Sequence, residues 1–285
     1  MVVSIGENLT SGIRALEAAG NGNARSEACW MLEELLEVSA AGLSTRLQQP
    51  LPEGIAQVYG EQIRRRASGE PLQYVIGNVD FFNVRLEIGP GVLIPRPETE
   101  ELVEFVVETL FNGASPTNIC DVCTGSGAIA LALATAFPNA HVCGTDISRE
   151  ALAWAEKNLV RLALGNVTLL HGDLFAPLPH EARFELITAN PPYVSQSAYE
   201  GLETVIKDYE PRLALVAEDD GLALLKRIVK EARNWLLPKG WLVCEIGDDQ
   251  GDAIREILEK EGYEDISIRQ DMAHRDRMAI GRKAR

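Results

Sequence analysis

The chain has 285 residues, 46% of them hydrophobic and 24% charged, the composition of an ordinary soluble globular protein. Its net charge of −15 argues against a broad phosphate-binding surface, because nucleic-acid binding is driven mainly by basic groups that neutralise phosphates. No run of 18 apolar residues exists, so no membrane span is expected. Met1-Val2-Val3-Ser4-Ile5-Gly6-Glu7 lacks the basic and apolar regions of a secretory leader. Five cysteines, an odd number in a chain long enough to build its own core, point to a reducing, cytoplasmic setting.

Residues 6 to about 70 read as helical. Ala28, Met31, Leu32, Leu35 and Leu36 fall on one face of an amphipathic helix, and Gly20-Asn21-Gly22-Asn23 separates it from an earlier helix carrying Ile13 and Leu16. A further helix ends in Arg64-Arg65-Arg66-Ala67-Ser68-Gly69, with Gly69 as its cap. The three arginines complement the helix dipole or meet a partner.

The pattern then changes to two short extended runs, Gln73-Tyr74-Val75-Ile76 and Phe81-Phe82-Asn83-Val84-Arg85-Leu86, with Gly77-Asn78-Val79-Asp80 between them. This predicts a β-hairpin that links two domains: 1–70, a linker over 71–90, and 91–285. The prolines of Gly91-Val92-Leu93-Ile94-Pro95-Arg96-Pro97-Glu98-Thr99-Glu100 make a stiff arm. Thr99 is expected to cap a helix whose apolar face is Leu102, Val103, Val106, Val107 and Leu110. Arg96 and Glu98 are site candidates, fixed near wherever the arm points.

Residues 117–188 alternate strand and helix, the signature of a mostly parallel α/β sheet. Strands are expected at 118–122, 141–145, 167–170 and 184–188. Helices are expected at 128–136 and from Ser148. An irregular segment follows to about residue 219, then a helix (221–237), a strand (241–246), a helix (253–261) and two terminal strands.

Three strand ends carry chemistry. Asp121-Val122-Cys123-Thr124-Gly125-Ser126-Gly127 is a glycine turn that lets a ligand approach the main chain at a helix start. Asp146 follows about 20 residues on, where an acid can grip ribose hydroxyls. These features permit a nicotinamide dehydrogenase and a methyltransferase alike. In Gly172-Asp173-Leu174-Phe175, Asp173 is placed to accept from an adenine amino group and Leu174 to cover the ring. Cys120 and Cys123 form a C-x-x-C without a second pair or nearby histidines; they are expected to be small buried fillers, and no metal site is expected.

The last strand runs into Asn190-Pro191-Pro192-Tyr193. Two prolines make further strand pairing unfavourable and leave a side-chain amide, a carbonyl and an aromatic ring at the corner. An amide nitrogen is a poor nucleophile. Two acceptors, the Asn190 side-chain oxygen and the Pro191 carbonyl, can hold both of its N–H groups and fix its lone pair toward an electrophile such as a sulfonium methyl. Tyr193 can stack on the planar group. A dehydrogenase has no use for this corner.

These motifs, in this order, resemble those of class I S-adenosylmethionine-dependent methyltransferases that act on amino nitrogens. The arm at 91–100, Gly69-Glu70-Pro71-Leu72-Gln73-Tyr74, Tyr209-Glu210-Pro211-Arg212 and Arg275-Asp276-Arg277 are similar to the signatures of protein-glutamine methyltransferases, above all the PrmC/HemK family of release factor glutamine methyltransferases. The resemblance runs along nearly the whole chain. It implies a Rossmann-like domain with a seven-stranded, mostly parallel sheet, joined by a β-hairpin to a small N-terminal helical bundle that helps grip a release factor. It implies N5-methylation of the glutamine in the Gly-Gly-Gln motif of peptide chain release factors, with S-adenosylhomocysteine as the other product. Carried over by position, residues 123–127 (Cys123, Thr124, Gly125, Ser126, Gly127), Asp146, Asp173, Leu174 and Asn190 line the cofactor. Asn190, Pro191, Pro192 and Tyr193 hold the glutamine, with Arg96 and Glu98 on the substrate side. Cys123 and His274 stand where the family usually has glycine, and Leu174 where it commonly has tryptophan. A ribosomal-protein glutamine methyltransferase shares the corner. A nucleic-acid amino-methyltransferase would also use it, against the charge balance, and an NAD-dependent oxidoreductase is the reading from another class. Nothing in the sequence demands more than a monomer.

Overall fold

The structure, a computed structural model, describes residues 3–285. Met1 and Val2, on which the leader reading partly rests, lie outside the described residues. The chain divides into two units between Asn78 and Val79.

The first unit is helical: α1 (Ile5–Ala18), α2 (Ala24–Leu36), α3 (Ala40–Arg46), α4 (Glu53–Ala67) and α5 (Leu72–Ile76). Ser4 starts α1 with a reciprocal cap, its hydroxyl accepting from the Glu7 amide while the Glu7 carboxylate accepts from the Ser4 amide at 2.7 Å. Ala28, Met31 and Leu32 of the expected stripe are buried with Leu16, Leu43, Tyr59 and Ile63, while Leu35 and Leu36 are half-buried. The three arginines lie in the last turn of α4, and each finds an acid in its own unit: Arg64 pairs with Glu61, Arg65 with Glu70 (2.5 Å) and Arg66 with Glu27 (2.6 Å).

Gln73–Ile76 is not extended as expected; residues 72–76 form a helical turn. Pro71 precedes it, Gly77 ends it at φ 89°, and Leu72 and Val75 bury into the helical core. Burial overrides the strand preference of Tyr and Val. The hairpin is built later, from β1 (Asn78–Phe81) and β2 (Val84–Glu87).

In the second unit the arm leads into α6 (Pro97–Glu104), which continues as a π-helical turn over Phe105–Leu110. Thr99 does not cap this helix. Arg96 holds the cap position, Pro97 takes the first turn where its missing N–H costs nothing, and Thr99 lies one turn in, 3% exposed. The remaining elements are β3 (Asn118–Val122), α7 (Ala128–Ala136), β4 (His141–Asp146), α8 (Arg149–Arg161), β5 (Val167–His171), β6 (Phe184–Ala189), α9 (Gln196–Glu200) and α10 (Thr204–Tyr209). They are followed by α11 (Ala223–Trp235), β7 (Leu236–Glu245), α12 (Gly251–Lys260), β8 (Tyr263–Gln270) and β9 (Asp276–Lys283). The strand expected from Trp241 therefore starts at Leu236, and its pairing with β6 is irregular between Phe184 and Leu186.

The sheet has seven strands in the order β5-β4-β3-β6-β7-β9-β8, parallel except where β9 pairs with its two neighbours. Ile119, Cys120, Val122, Leu186, Ile187 and Ala189 are all fully buried, as central parallel strands covered on both faces should be. The chain leaves β3 toward β4 and β5, then returns on the other side with β6. That reversal opens a crevice at the C-terminal ends of β3 and β6, where open α/β sheets take their ligands.

Candidate active site

The crevice holds a cavity of about 290 Å³. Its walls come from the arm (Gly91, Val92, Leu93, Pro95), the turn after β3, the ends of β4 and β5, and the corner after β6. The second wall is set from below by Asp121, which is fully buried in β3. Its carboxyl accepts the Thr124 hydroxyl at 2.6 Å and the Thr188 hydroxyl of β6 at 2.8 Å, so it locks the glycine turn to the neighbouring strand. Burial, against these two hydrogen bonds, pushes Asp121 up to about 7.

Asp146, at the end of β4, accepts the Gly125 amide at 2.8 Å through one oxygen and the Ser148 amide at 2.8 Å through the other. Burial raises its pKa, and these amides oppose that shift. Each oxygen keeps a lone pair for a further donor. Gly125 sits at φ 59°, and a Cβ there would meet only Val92, at 3.9 Å. That side of the turn faces open space. Gly127, at φ 84°, serves the packing behind it, because a Cβ would come within 2.9 Å of Leu131. Cys123 (φ 61°) and His274 (φ 59°) are left-handed where the resembled family has glycine, so the backbone shape survives the substitutions. Cys120 is a buried filler as expected, whereas Cys123 is only half-buried and faces the cavity.

The corner is organised by a residue that sequence reading passed over. Glu245 closes β7 and is 1% exposed. One carboxylate oxygen accepts the Thr99 hydroxyl at 2.5 Å and the other the Tyr193 hydroxyl at 3.0 Å. Thr99 in turn accepts from the Asn190 side-chain nitrogen at 3.1 Å. Burial raises the Glu245 pKa, opposed by these hydroxyls and by the positive charge of Arg277. Burial and the Glu245 charge push the Tyr193 phenol well above its usual range, so it stays neutral. A signal existed: an acid in the apolar run Trp241-Leu242-Val243-Cys244-Glu245-Ile246.

Cys123, Thr124, Gly125, Ser126, Asp146, Asp173, Leu174, Asn190 and Pro192 thus share one cavity. Gly127, Pro191 and Tyr193 adjoin these residues in the chain but do not themselves line it. Asp173 is exposed and holds Arg227 through two contacts, at 2.9 and 3.2 Å, both residues lining the cavity. Leu174 is 4% exposed, at φ 47°. Arg96 and Glu98 are not on the cavity wall. Arg96 pairs at 2.5 Å with Glu210, which also accepts the Ile94 amide at 3.1 Å and so holds the arm in place. The sequence also gave no sign of Asn158, whose buried side chain bonds both Glu87 and the Ser126 carbonyl, tying the hairpin to the glycine turn.

Residues 7–77 match the PrmC N-terminal domain and residues 114–274 a methyltransferase domain. The release factor glutamine methyltransferase of Vibrio cholerae is 37% identical over 284 residues, covering 99% of this chain and 97% of that one. That of Geobacter sulfurreducens is 39% identical over 268 residues, covering 94% and 92%. A crystal structure of a methyltransferase from Pyrococcus furiosus shares the fold at 21% identity and TM-score 0.52, over 72% of this chain and 91% of that one. Matched over both of its units, the chain belongs to the release factor glutamine methyltransferase family.

Proposed function

We propose that the protein moves the methyl group of S-adenosylmethionine to the side-chain amide nitrogen of the glutamine in the Gly-Gly-Gln motif of peptide chain release factors. S-adenosylhomocysteine and N5-methylglutamine are the products, and the nitrogen exchanges one proton for the methyl group. The observation that carries the reading is the Asn190 corner on the wall of a nucleoside-sized cavity, in a chain of this family.

The cavity fits the cofactor. Gly125 leaves its main chain uncovered, and Asp146, on the same wall, keeps lone pairs for ribose hydroxyls. Leu174 offers an apolar cover for the adenine, with Asp173 beside it as an acceptor. Cys123, Thr124 and Ser126 complete the cradle, and Gly127 sets its curvature. When bound, the cofactor supplies an electrophilic methyl on a sulfonium sulfur. The protein's part is positioning. The Asn190 side-chain oxygen and the Pro191 carbonyl take the two N–H groups of the glutamine, so its lone pair is turned away from them. Pro192 stiffens the corner, and Tyr193 packs against the planar amide. Orientation of this kind lowers a barrier by several kcal/mol.

Residues 1–70 bind the release factor, 71–90 link them to the rest, and 91–285 carry the chemistry, with Arg96 and Glu98 on the arm beside the protein substrate. The chain acts as a monomer in the cytoplasm, on protein rather than nucleic acid. No described helix is long and apolar enough to cross a membrane.

The test is incubation with labelled S-adenosylmethionine and purified release factors, followed by mass spectrometry of the Gly-Gly-Gln peptide. A gain of one methyl on that glutamine is expected. Label on a ribosomal-protein glutamine or on RNA, with none on the release factor, overturns the reading.

A further inference from the structure

An asparagine can only hold an amide N–H with its oxygen, and nothing in the Asn190 side chain itself decides which end faces the cavity. Oxygen and nitrogen have nearly the same size, and the wrong orientation would offer two donors to a substrate that is itself a donor. The decision is made by proton counting across three buried groups. Thr99 has one hydroxyl proton, and it lies 2.5 Å from a Glu245 oxygen, the short distance of a hydroxyl donating to a carboxylate. With that proton committed, Thr99 has only lone pairs left for Asn190, 3.1 Å away. Only the NH2 end of Asn190 can meet a lone pair, so its oxygen is the end left free.

We propose that Thr99 and Glu245 are positioning residues for methyl transfer: the Glu245 carboxylate fixes the Thr99 hydroxyl, which fixes the Asn190 amide with its oxygen toward the substrate. This rests on the reading of Asn190 as the amide holder. The same carboxylate takes the Tyr193 hydroxyl on its other oxygen at 3.0 Å, so one buried charge sets the direction of two side chains in the corner.

The arrangement depends on Glu245 being acceptor-only. A glutamine in its place must turn one NH2 end toward a hydroxyl. Facing Thr99, that end forces the Thr99 proton toward Asn190 and reverses the Asn190 amide. Facing Tyr193, it forces the phenol proton away. Protonation of Glu245 has the same effect as the first case. The groups that bear on its charge are Arg277 of β9, which favours the ionised form, Glu98 of α6, which disfavours it, and the Thr99 and Tyr193 hydroxyls, which favour it. Arg277 is itself anchored by Asp271 at 3.2 Å.

The test uses the full chain with Thr99→Ser, Thr99→Val, Glu245→Gln and the Thr99→Val/Glu245→Gln double variant. Three quantities are read: S-adenosylhomocysteine affinity by calorimetry, kcat and KM for a purified release factor, and contacts between the Asn190 side-chain NH2 and the Thr99 methyl by nuclear Overhauser NMR. Thr99→Ser should stay within about threefold of the parent, since it keeps the hydroxyl. Thr99→Val and Glu245→Gln should each lower kcat by about 10- to 100-fold, the scale of one mispaired buried hydrogen bond. Cofactor affinity should move by less than about threefold. The double variant should be no worse than the weaker single one, because both act through one chain of bonds. The parent's kcat should fall toward low pH, and Glu245→Gln should lose that dependence. The NMR contact should be present in the parent and weakened in Glu245→Gln.

Equal kcat in all variants, or a Thr99→Ser loss as large as that of Thr99→Val, overturns the inference while leaving the methyltransferase reading intact. A parent that keeps the NMR contact but never methylates a release factor sinks the functional reading, and the orientation of Asn190 by Thr99 stands.

Discussion

Replacing Arg96 by alanine separates two roles for the arm. In the structure the guanidinium is a strut: it pairs at 2.5 Å with Glu210, whose side chain is 2% exposed against 32% for Arg96. Without it, the Ile94 amide at 3.1 Å is the partner left to Glu210 among the described contacts. Stripping the partner from a buried charge pair costs about 3–5 kcal/mol. Because Arg96 is a third exposed, water can reach part of the space it leaves, and a loss of about 2–3 kcal/mol is the better expectation. At roughly 2–4 °C per kcal/mol for a unit of this size, the melting temperature should fall by about 4–12 °C. Thermal unfolding read by circular dichroism measures this directly, and a paired Glu210→Gln change should recover much of the loss by removing the stranded charge. Release-factor KM measured well below the melting temperature should then rise only modestly. A melting temperature within about 1 °C of the parent, together with a KM raised tenfold or more, would refute the strut and make Arg96 a direct substrate contact.

Other predictions follow from the same contacts. Asn190→Ala should keep S-adenosylhomocysteine affinity within about tenfold yet lower methyl transfer by about 10²-fold or more, the cost of losing a positioned polar group; equal rates sink the corner mechanism. Gly125→Val places a β-branched side chain at φ 59° on the open side of the turn, so cofactor affinity measured by calorimetry should drop at least tenfold while the fold persists. Asp121 titrates at about 7 in the folded chain and near ~3.9 unfolded. The folded chain therefore holds a proton that the unfolded chain has released. The resulting stability is complete below about pH 4 and is lost as pH rises through about 7. Asp121→Asn should flatten that slope in denaturant midpoints taken between about pH 5 and pH 8, and an unchanged slope counts against the buried proton.

Local chemistry made much of this protein legible in its sequence. Pro191 and Pro192 have no N–H to give and so disfavour further strand pairing, and the spacing of strand, glycine turn and helix implies a parallel sheet before any contact is known. Asn190, Gly125, Asp146 and Leu174 were visible because each sits at a strand end or turn whose backbone shape its neighbours dictate. The helical turn at Leu72–Ile76 was not visible, because Tyr and Val suit a strand until the helical core takes in Leu72 and Val75.

What only the tertiary structure decided is which way the Asn190 corner points and what holds it there. Thr99 lies 91 residues from Asn190 and 146 from Glu245, and Arg96 lies 114 from Glu210. These pairs meet because the strand order brings β7 beside β6, with the start of α6 against both ends. Residue preferences act over a few neighbours, whereas a hydrogen-bond direction depends on every proton already committed in the same buried cluster. The sequence by itself determined that a side-chain amide, two prolines and a tyrosine follow the buried strand that ends at Ala189. The fold determined that the amide nitrogen is taken by Thr99, whose own hydroxyl is held by Glu245.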